Sequence, residues 1–287
     1  MGSIVHLKDK FPIEIPNNLK MNTSTKETTR GDKVQENIQY FETVIIGSGF
    51  SGLLAAIRLQ KKNCNDFILL ERSAELGGTW QVNSYTGAEV DIPTSLYSIS
   101  FVPYQFSKTF APQSELLAYT NHIIDKFSLR KQAKTNQTVT RLTYDEHAAL
   151  WHVETASGEV YRARFIIDTS GVLANPHIPH IKGAETFEGA MFHAGHWDHT
   201  VAYAGKRVGV IGSGCSGAQI VPAIADKVAK LTVFMGRAQW IMPRSDRNYG
   251  ALERHLRTLP VIRHLIRFFV FAFYDLQFIA FRRYPLI

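Results

Sequence analysis

The chain of 287 residues is long enough for about two domains of roughly 150 residues each, and 45% hydrophobic residues is the composition of an ordinary folded protein with a sizeable core. Its net charge of +7 comes from Lys and Arg scattered along the sequence, which describes a solvated surface and argues against nucleic acid as a partner. The cysteines, Cys64 and Cys215, lie far apart without the spacing of a metal knuckle or disulfide framework, which fits a reducing compartment and predicts a cytoplasmic protein.

The first stretch, to about Gln39, is polar, rich in Thr, Lys and Asn, and lacks the apolar run of a signal peptide. Residues 1–40 are expected to form a disordered leader. From Thr43 the chain reads TVIIGSGFSG and then LLAAIRLQKK, a short apolar run, a glycine turn and a helical spacing: strand, phosphate turn, helix. Gly47 suits the tight turn, Gly49 lets backbone approach a pyrophosphate, and Gly52 lets helix and strand pack closely. The helix points its positive N-terminal end at the phosphates. A second apolar run, FILLE, places Glu71 nineteen residues after Gly52, where a carboxylate can accept both ribose hydroxyls of a dinucleotide.

An amphipathic segment near Ser114 to Phe127 and a strand near Gln137 to Tyr144 follow. WHVET and VYRARFII then read as a hairpin with its turn at Ser157-Gly158. That run ends in Asp168-Thr169-Ser170-Gly171. Small residues there let the chain pass close to a bound cofactor, and a plain loop is equally open.

The strand-turn-helix pattern recurs at Arg207 to Gly217, RVGVIGSGCSG, with Gly212, Gly214 and Gly217, a helix QIVPAIADKV and a second strand LTVFM. Twenty residues after Gly217 the acid is replaced by Arg237. A carboxylate would repel a 2′-phosphate and a guanidinium can pair with it, so NADPH is expected rather than NADH. A strand-end arginine exposed for no such purpose is the other reading. Cys215 stands at the start of this helix, where the dipole lowers a thiol pKa, but a small packing residue is the simpler expectation. Beyond Met235 the chain reads as helix with hardly another strand, although a nucleotide-binding half needs at least three. The segment FFVFAFYDLQFIAF, broken by Asp275 and Gln277, is too short for a membrane span. Its basic flanks leave membrane-surface contact open beside packing on further protein. His193, His196 and His199, near His177 and His180, are joined by no acid or cysteine cluster, so no metal is expected.

Two segments carry a resemblance. ELGGTW at Glu75 to Trp80 follows the ribose-binding strand, and FEGAMFHAGHWD runs from Phe187 to Asp198. Together they resemble Baeyer-Villiger monooxygenases, the class B flavoprotein monooxygenases, whose fingerprint is met by Phe187, Gly189, His193, Trp197 and Asp198. The resemblance implies an α/β fold of two dinucleotide-binding, Rossmann-like domains: an FAD domain (41–185) interrupted by an NADPH domain (205–287), with the fingerprint in a linker (186–204). It further implies a chain incomplete at its C-terminus. The flavin is expected against Gly47, Gly49, Phe50, Ser51, Gly52, Glu71, Gly78, Thr79, Trp80, Asp91 and Tyr97, with Val139 at the adenine. NADPH is expected along Ser213, Gly214, Cys215, Ser216, Gly217, Ala218 and Gln219, with Arg237.

The implied activity is NADPH-driven insertion of one oxygen atom of O2 into small hydrophobic ketones, giving esters or lactones through a C4a-peroxyflavin. Asp91 corresponds to the family's aspartate that orients an oxyanion-stabilising arginine, and no match for that arginine is found. An N- or S-oxidising flavin monooxygenase acting on amines or thioethers is the alternative, as is an inactive fragment of either. The sequence departs from the family at Ser84-Tyr85-Thr86-Gly87-Ala88-Glu89, which keeps Tyr85, Gly87 and Ala88 of Arg-Tyr-Pro-Gly-Ala-Arg but loses the proline and both arginines. Ala238, where the family has Thr or Ser, has no hydroxyl to offer a 2′-phosphate.

Overall fold

In the computed structural model, which describes residues 38–237, 239 and 244–283, a six-stranded sheet carries the first glycine turn and a separate two-stranded sheet carries the second. The first strand, β1 (Ile38–Ile46), is followed by the turn and by helix α1 (Phe50–Lys61), then by β2 (Phe67–Leu70). β1 and β2 pair in parallel, Val44 opposite Ile68, as the crossover through α1 requires. β1 begins at Ile38, so residues 38–40, expected within the leader, are strand: they pair with Val160–Arg162 and gain a full ladder of backbone hydrogen bonds. The remainder of the leader lies outside the described residues.

Two one-turn helices, α2 (Thr79–Val82) and α3 (Thr94–Tyr97), precede the amphipathic α4 (Gln113–Lys126). The strands β3 (Ala133–Lys134), β4 (Val139–Asp145), β5 (Leu150–Thr155) and β6 (Val160–Asp168) complete the sheet in the order β3-β2-β1-β6-β5-β4. β6 returns parallel to β1, whereas β5 is antiparallel to both β4 and β6. The hairpin turns where expected, with Gly158 at φ +83°. The two-residue β3 is too short to leave a periodic signal.

The main core lies between the sheet and α1 and α4: Leu53 and Ile57 from α1, Leu116, Tyr119, Ile123 and Ile124 from α4, and Ile45 and Leu69 from the strands are buried together. Each such aliphatic side chain contributes about 1.5–3 kcal/mol by leaving water. Tyr119 also organises the chain above it. Its hydroxyl accepts the Ile99 N–H at 2.9 Å and donates to the Val102 carbonyl, and burial pushes its phenol up to about 12.

In the second unit β7 (Arg207–Ile211), α5 (Cys215–Ile224) and β8 (Lys230–Phe234) repeat the arrangement, with β7 and β8 parallel. α5 starts directly after the glycines and ends earlier than the expected QIVPAIADKV, two residues past Pro222. That residue has no N–H for the helix ladder. α6 (Ala251–Leu256) and the long α7 (Pro260–Arg283) follow, and among the described residues no third strand joins β7 and β8. α7 docks on α3 through Arg267, whose guanidinium donates to the carbonyls of Ser95 and Ser98. Phe268, Phe269, Phe271 and Phe273 on α7 are each more than half exposed. No helix among the described residues is long and apolar enough to cross a membrane.

Candidate nucleotide-binding site

The first glycine turn is held at zero clearance from three sides. Gly47 has φ +94°, and a Cβ there would stand 2.7 Å from the Thr169 carbonyl oxygen. A Cβ on Gly52 would stand 1.9 Å from the Gly47 oxygen and 2.8 Å from Thr169 Oγ1. Thr169 itself donates from Oγ1 to the carbonyls of Ile46 (2.7 Å) and Gly47 (2.9 Å). The small-residue end of β6 therefore packs on the turn. In the sequence Thr169 stands out only as one of a run of small residues after an apolar strand, and the fold brings it onto the turn.

Gly49 and Gly78 meet: a Cβ on Gly78, at φ +57°, would fall 2.5 Å from the Gly49 Cα. The glycines of ELGGTW and of the first turn, 29 residues apart in sequence, thus form one side-chain-free surface. Gly49 caps α1 without a side-chain hydrogen bond, and no acidic residue stands in the first turn of that helix. An N-terminus of this kind, beside two bare glycines, suits a pyrophosphate.

Glu71, buried at the end of β2, faces the turn. Its Oε2 accepts the Ser48 N–H (2.9 Å) and Ser48 Oγ–H (2.5 Å), and its Oε1 accepts the Ser73 N–H (2.9 Å). A carboxylate offers about four acceptor positions, so roughly one remains for a ribose hydroxyl, and Ser48 Oγ must rotate away for a second. Ser48 Oγ also accepts the Gly77 N–H, joining the turn to the Gly-Gly-Thr-Trp segment. Val139 packs on the cluster of Val44, Leu70 and Val153, two residues past Gln137, whose N–H bonds the Glu71 carbonyl.

Beside this cradle stands an aromatic group. Trp80 is buried and donates its indole N–H to the Tyr97 hydroxyl at 3.0 Å. Tyr97 lies 5.3 Å from the Phe50 ring and 5.6 Å from Trp80, edge to face with the latter. Burial pushes the Tyr97 phenol up, and the negative charge of Asp91 acts in the same direction. Ser51 and Thr79 adjoin Phe50 and Trp80 in sequence and Asp91 acts on Tyr97 through its charge; Ser51 and Asp91 are exposed and Thr79 opens α2.

The fingerprint segment lies against residues 83–86. His199 Nε2 and Ser84 Oγ are 2.8 Å apart, and Trp197 contacts the rings of Phe192, Tyr203 and Tyr85. Asp198 accepts both the N–H and the hydroxyl of Thr200, which holds its carboxyl below the usual carboxylate range. His193 Nδ1 accepts the Gly195 N–H. Among the described residues no group of three or more His, Cys, Asp or Glu is placed to hold a metal ion.

In the second turn Gly212 has φ +107°, and a Cβ on Gly217 would stand 2.5 Å from the Gly212 oxygen, repeating the relation of Gly52 to Gly47. Gly214 has nothing within 4 Å of a built Cβ, and α5 begins there without a side-chain cap. Ser213 Oγ donates to the Arg237 carbonyl, so the turn and the end of β8 adjoin, with Arg237 exposed. Ser216 and Gly217 are half-buried and Ala218 is exposed. Cys215, at the head of α5, is exposed and unpaired, so it does not serve the packing role expected of it. Gln219 points instead toward the first unit, its amide bonded to Tyr85 and Glu89. Ala238 lies outside the described residues.

The family described as pyridine nucleotide-disulphide oxidoreductase matches residues 44–258, a span that takes in both glycine turns. The chain belongs to this family. Among curated relatives, a Baeyer-Villiger monooxygenase of Streptomyces coelicolor is 40% identical over 256 residues, which is 88% of this chain and 49% of that protein. The chain thus spans about half the length of that relative. Among solved structures, cyclohexanone monooxygenase from Rhodococcus sp. Phi1 bound to NADP+ superposes with a TM-score of 0.72 at 34% identity, over 77% of this chain and 42% of that one. OTEMO in complex with FAD and NADP gives a TM-score of 0.71 at 30% identity, over 78% of this chain and 43% of that one. The resemblance to Baeyer-Villiger monooxygenases drawn from the two motifs is borne out, and so is the α/β fold with dinucleotide-binding units.

Proposed function

We propose that this protein is an FAD- and NADPH-dependent monooxygenase that inserts one oxygen atom of O2 into a small hydrophobic ketone to give an ester or lactone. The observation that carries the reading is the contact of Gly49 with Gly78 beside an uncapped helix N-terminus, a surface that any side chain would fill and a pyrophosphate fits. A flavin domain over 41–185, a linker over 186–204 and an NADPH domain over 205–287 are part of the same reading, as is a cytoplasmic location, which rests on two unpaired cysteines.

In this reading the N–H groups of Phe50, Ser51 and Gly52 bind the FAD pyrophosphate, Glu71 accepts a ribose hydroxyl, and Val139 borders the adenine. Bound FAD supplies the oxygen-activating redox chemistry, with NADPH as its reductant. Phe50, Trp80 and Tyr97 exclude water beside it, and the Trp80–Tyr97 hydrogen bond fixes both rings. Asp91, beside Tyr97, orients positive charge toward the developing oxyanion. At the second turn the N–H groups following Gly214 bind the NADPH pyrophosphate and Arg237 pairs with its 2′-phosphate. The N- or S-oxidising alternative gains no support from relatives that carry the Baeyer-Villiger and cyclohexanone names.

The test is to supply the full chain with FAD, NADPH and 18O2 and to offer cyclohexanone and methyl phenyl sulfide separately. Lactone carrying one 18O atom is the expected product. Sulfoxide without lactone would reject the ketone reading in favour of S-oxidation, and NADPH oxidation without either product would reject both.

A further inference from the structure

Residues 85–89 grip the second unit at two places. Tyr85 donates its hydroxyl to Gln219 Oε1 at 2.8 Å, Gln219 Nε2 donates to the Glu89 carbonyl at 2.9 Å, and the Glu89 N–H points back at Gln219 Oε1 at 3.4 Å. Between these bonds Gly87, at φ +88°, lies so close to α5 that a Cβ would stand 2.6 Å from the Gln219 carbonyl oxygen and 2.7 Å from Ala223 Cβ. The second grip is electrostatic. The Glu89 carboxylate pairs with Arg244, which follows β8, and with Lys108 at 3.5 Å, and Lys108 also pairs with Asp246 at 2.7 Å. Glu89 thus holds the second unit by its backbone on one side and by its side chain on the other, and two of the positions that depart from or persist in the family pattern, Glu89 and Gly87, gain a physical role.

The seam has a direction. Gln219 stands one helical turn after Cys215, on the helix whose N-terminus faces the second glycine turn, and residues 85–89 lead directly to Asp91 and the aromatic group of the first site. Because Gly87 leaves no slack, a displacement of α5 moves this loop instead of opening a gap; packed interfaces shift as units.

We propose that Tyr85, Glu89 and Gln219 are positioning residues that couple the two nucleotide sites, so that a dinucleotide on the second turn changes the affinity of the first turn for FAD. The proposal rests on the two-cofactor reading above. Coupling is reciprocal and commonly amounts to about 5–150-fold in affinity.

The experiment measures FAD binding to the full chain by flavin fluorescence, with and without saturating NADP+, for the wild type, Tyr85→Phe and Glu89→Gln. The first variant removes one hydroxyl and the second one charge, and circular dichroism checks that each folds. The expected result is at least about a fivefold effect of NADP+ on FAD affinity in the wild type, and a factor near one in either folded variant. Hydrogen exchange of the wild type gives a readout independent of the variants: NADP+ alone slows exchange in residues 85–91. Undiminished coupling in a folded variant, or unchanged exchange with NADP+ bound, overturns the proposal while leaving the two-cofactor reading intact. A chain that binds neither dinucleotide overturns both.

Discussion

The carboxylate of Glu71 accepts the backbone N–H of Ser48 at 2.9 Å, which ties the end of β2 to the first glycine turn inside the fold. Ser48 is fully buried, so its N–H has no water to turn to if the acceptor is lost. Glu71→Ala is expected to lower the unfolding free energy by about 3 kcal/mol and Glu71→Gln, which keeps one acceptor, by about half as much. Urea unfolding of the two variants beside the wild type checks the order and size of the effect.

The glycines divide by what surrounds them. Gly52→Ala puts a methyl group 1.9 Å from a backbone oxygen that cannot move without unmaking the turn, and a loss of about 3 kcal/mol or more is expected in thermal or urea unfolding. Gly214→Ala meets nothing within 4 Å at an ordinary negative φ, so the variant folds with stability within about 0.5 kcal/mol of wild type. Its effect falls on NADP+ binding, because the methyl group occupies the space in front of α5. Calorimetric titration of NADP+ separates the two kinds of glycine.

In the proposed reading Arg237 is the residue that distinguishes the two nicotinamide dinucleotides. Removing a charge-assisted pair with the 2′-phosphate in Arg237→Ala is expected to weaken NADP+ by about 1.5–3 kcal/mol and to leave NAD+ within about twofold. Dissociation constants for both dinucleotides check this, and equal losses for both would show that the guanidinium serves the turn and not the phosphate.

Acid titration reports the anchor of α6. Hydrogen bonds from Arg247 and then Arg257 hold the Glu253 carboxyl well below its ordinary value of 4.5, at about 2. A folded-state pKa below the unfolded one gives stability that is fully present above about pH 4.5 and is lost as the pH falls toward 2. Wild type is therefore more stable than Glu253→Gln at pH 7, and the gap narrows between pH 4.5 and 2. Denaturant unfolding across that range tests the sign.

Both glycine turns, the helices after them and the hairpin at Gly158 were legible because each is written in neighbouring residues: an apolar run, a turn residue, a helical spacing. Ile38 to Tyr40 were not, since a polar-flanked strand end is strand only when β6 arrives to pair with it. Thr169 against Gly47, Gly78 against Gly49 and Gln219 against Tyr85 join positions 29 to 134 residues apart, and no local pattern encodes such contacts. Glu89 was the one partial exception. Its departure from the family's arginine marked the place, but the cations that answer it, Lys108 and Arg244, are neighbours only in the fold.

The central claim, two dinucleotide sites on one chain, is tested most directly by the visible absorption spectrum of the full chain reconstituted with FAD, followed by anaerobic addition of NADPH. Retained flavin bands that bleach with NADPH and return on admitting air are the predicted result. A protein that emerges colourless from gel filtration after incubation with FAD, or one whose bound flavin is not reduced by NADPH, would contradict it.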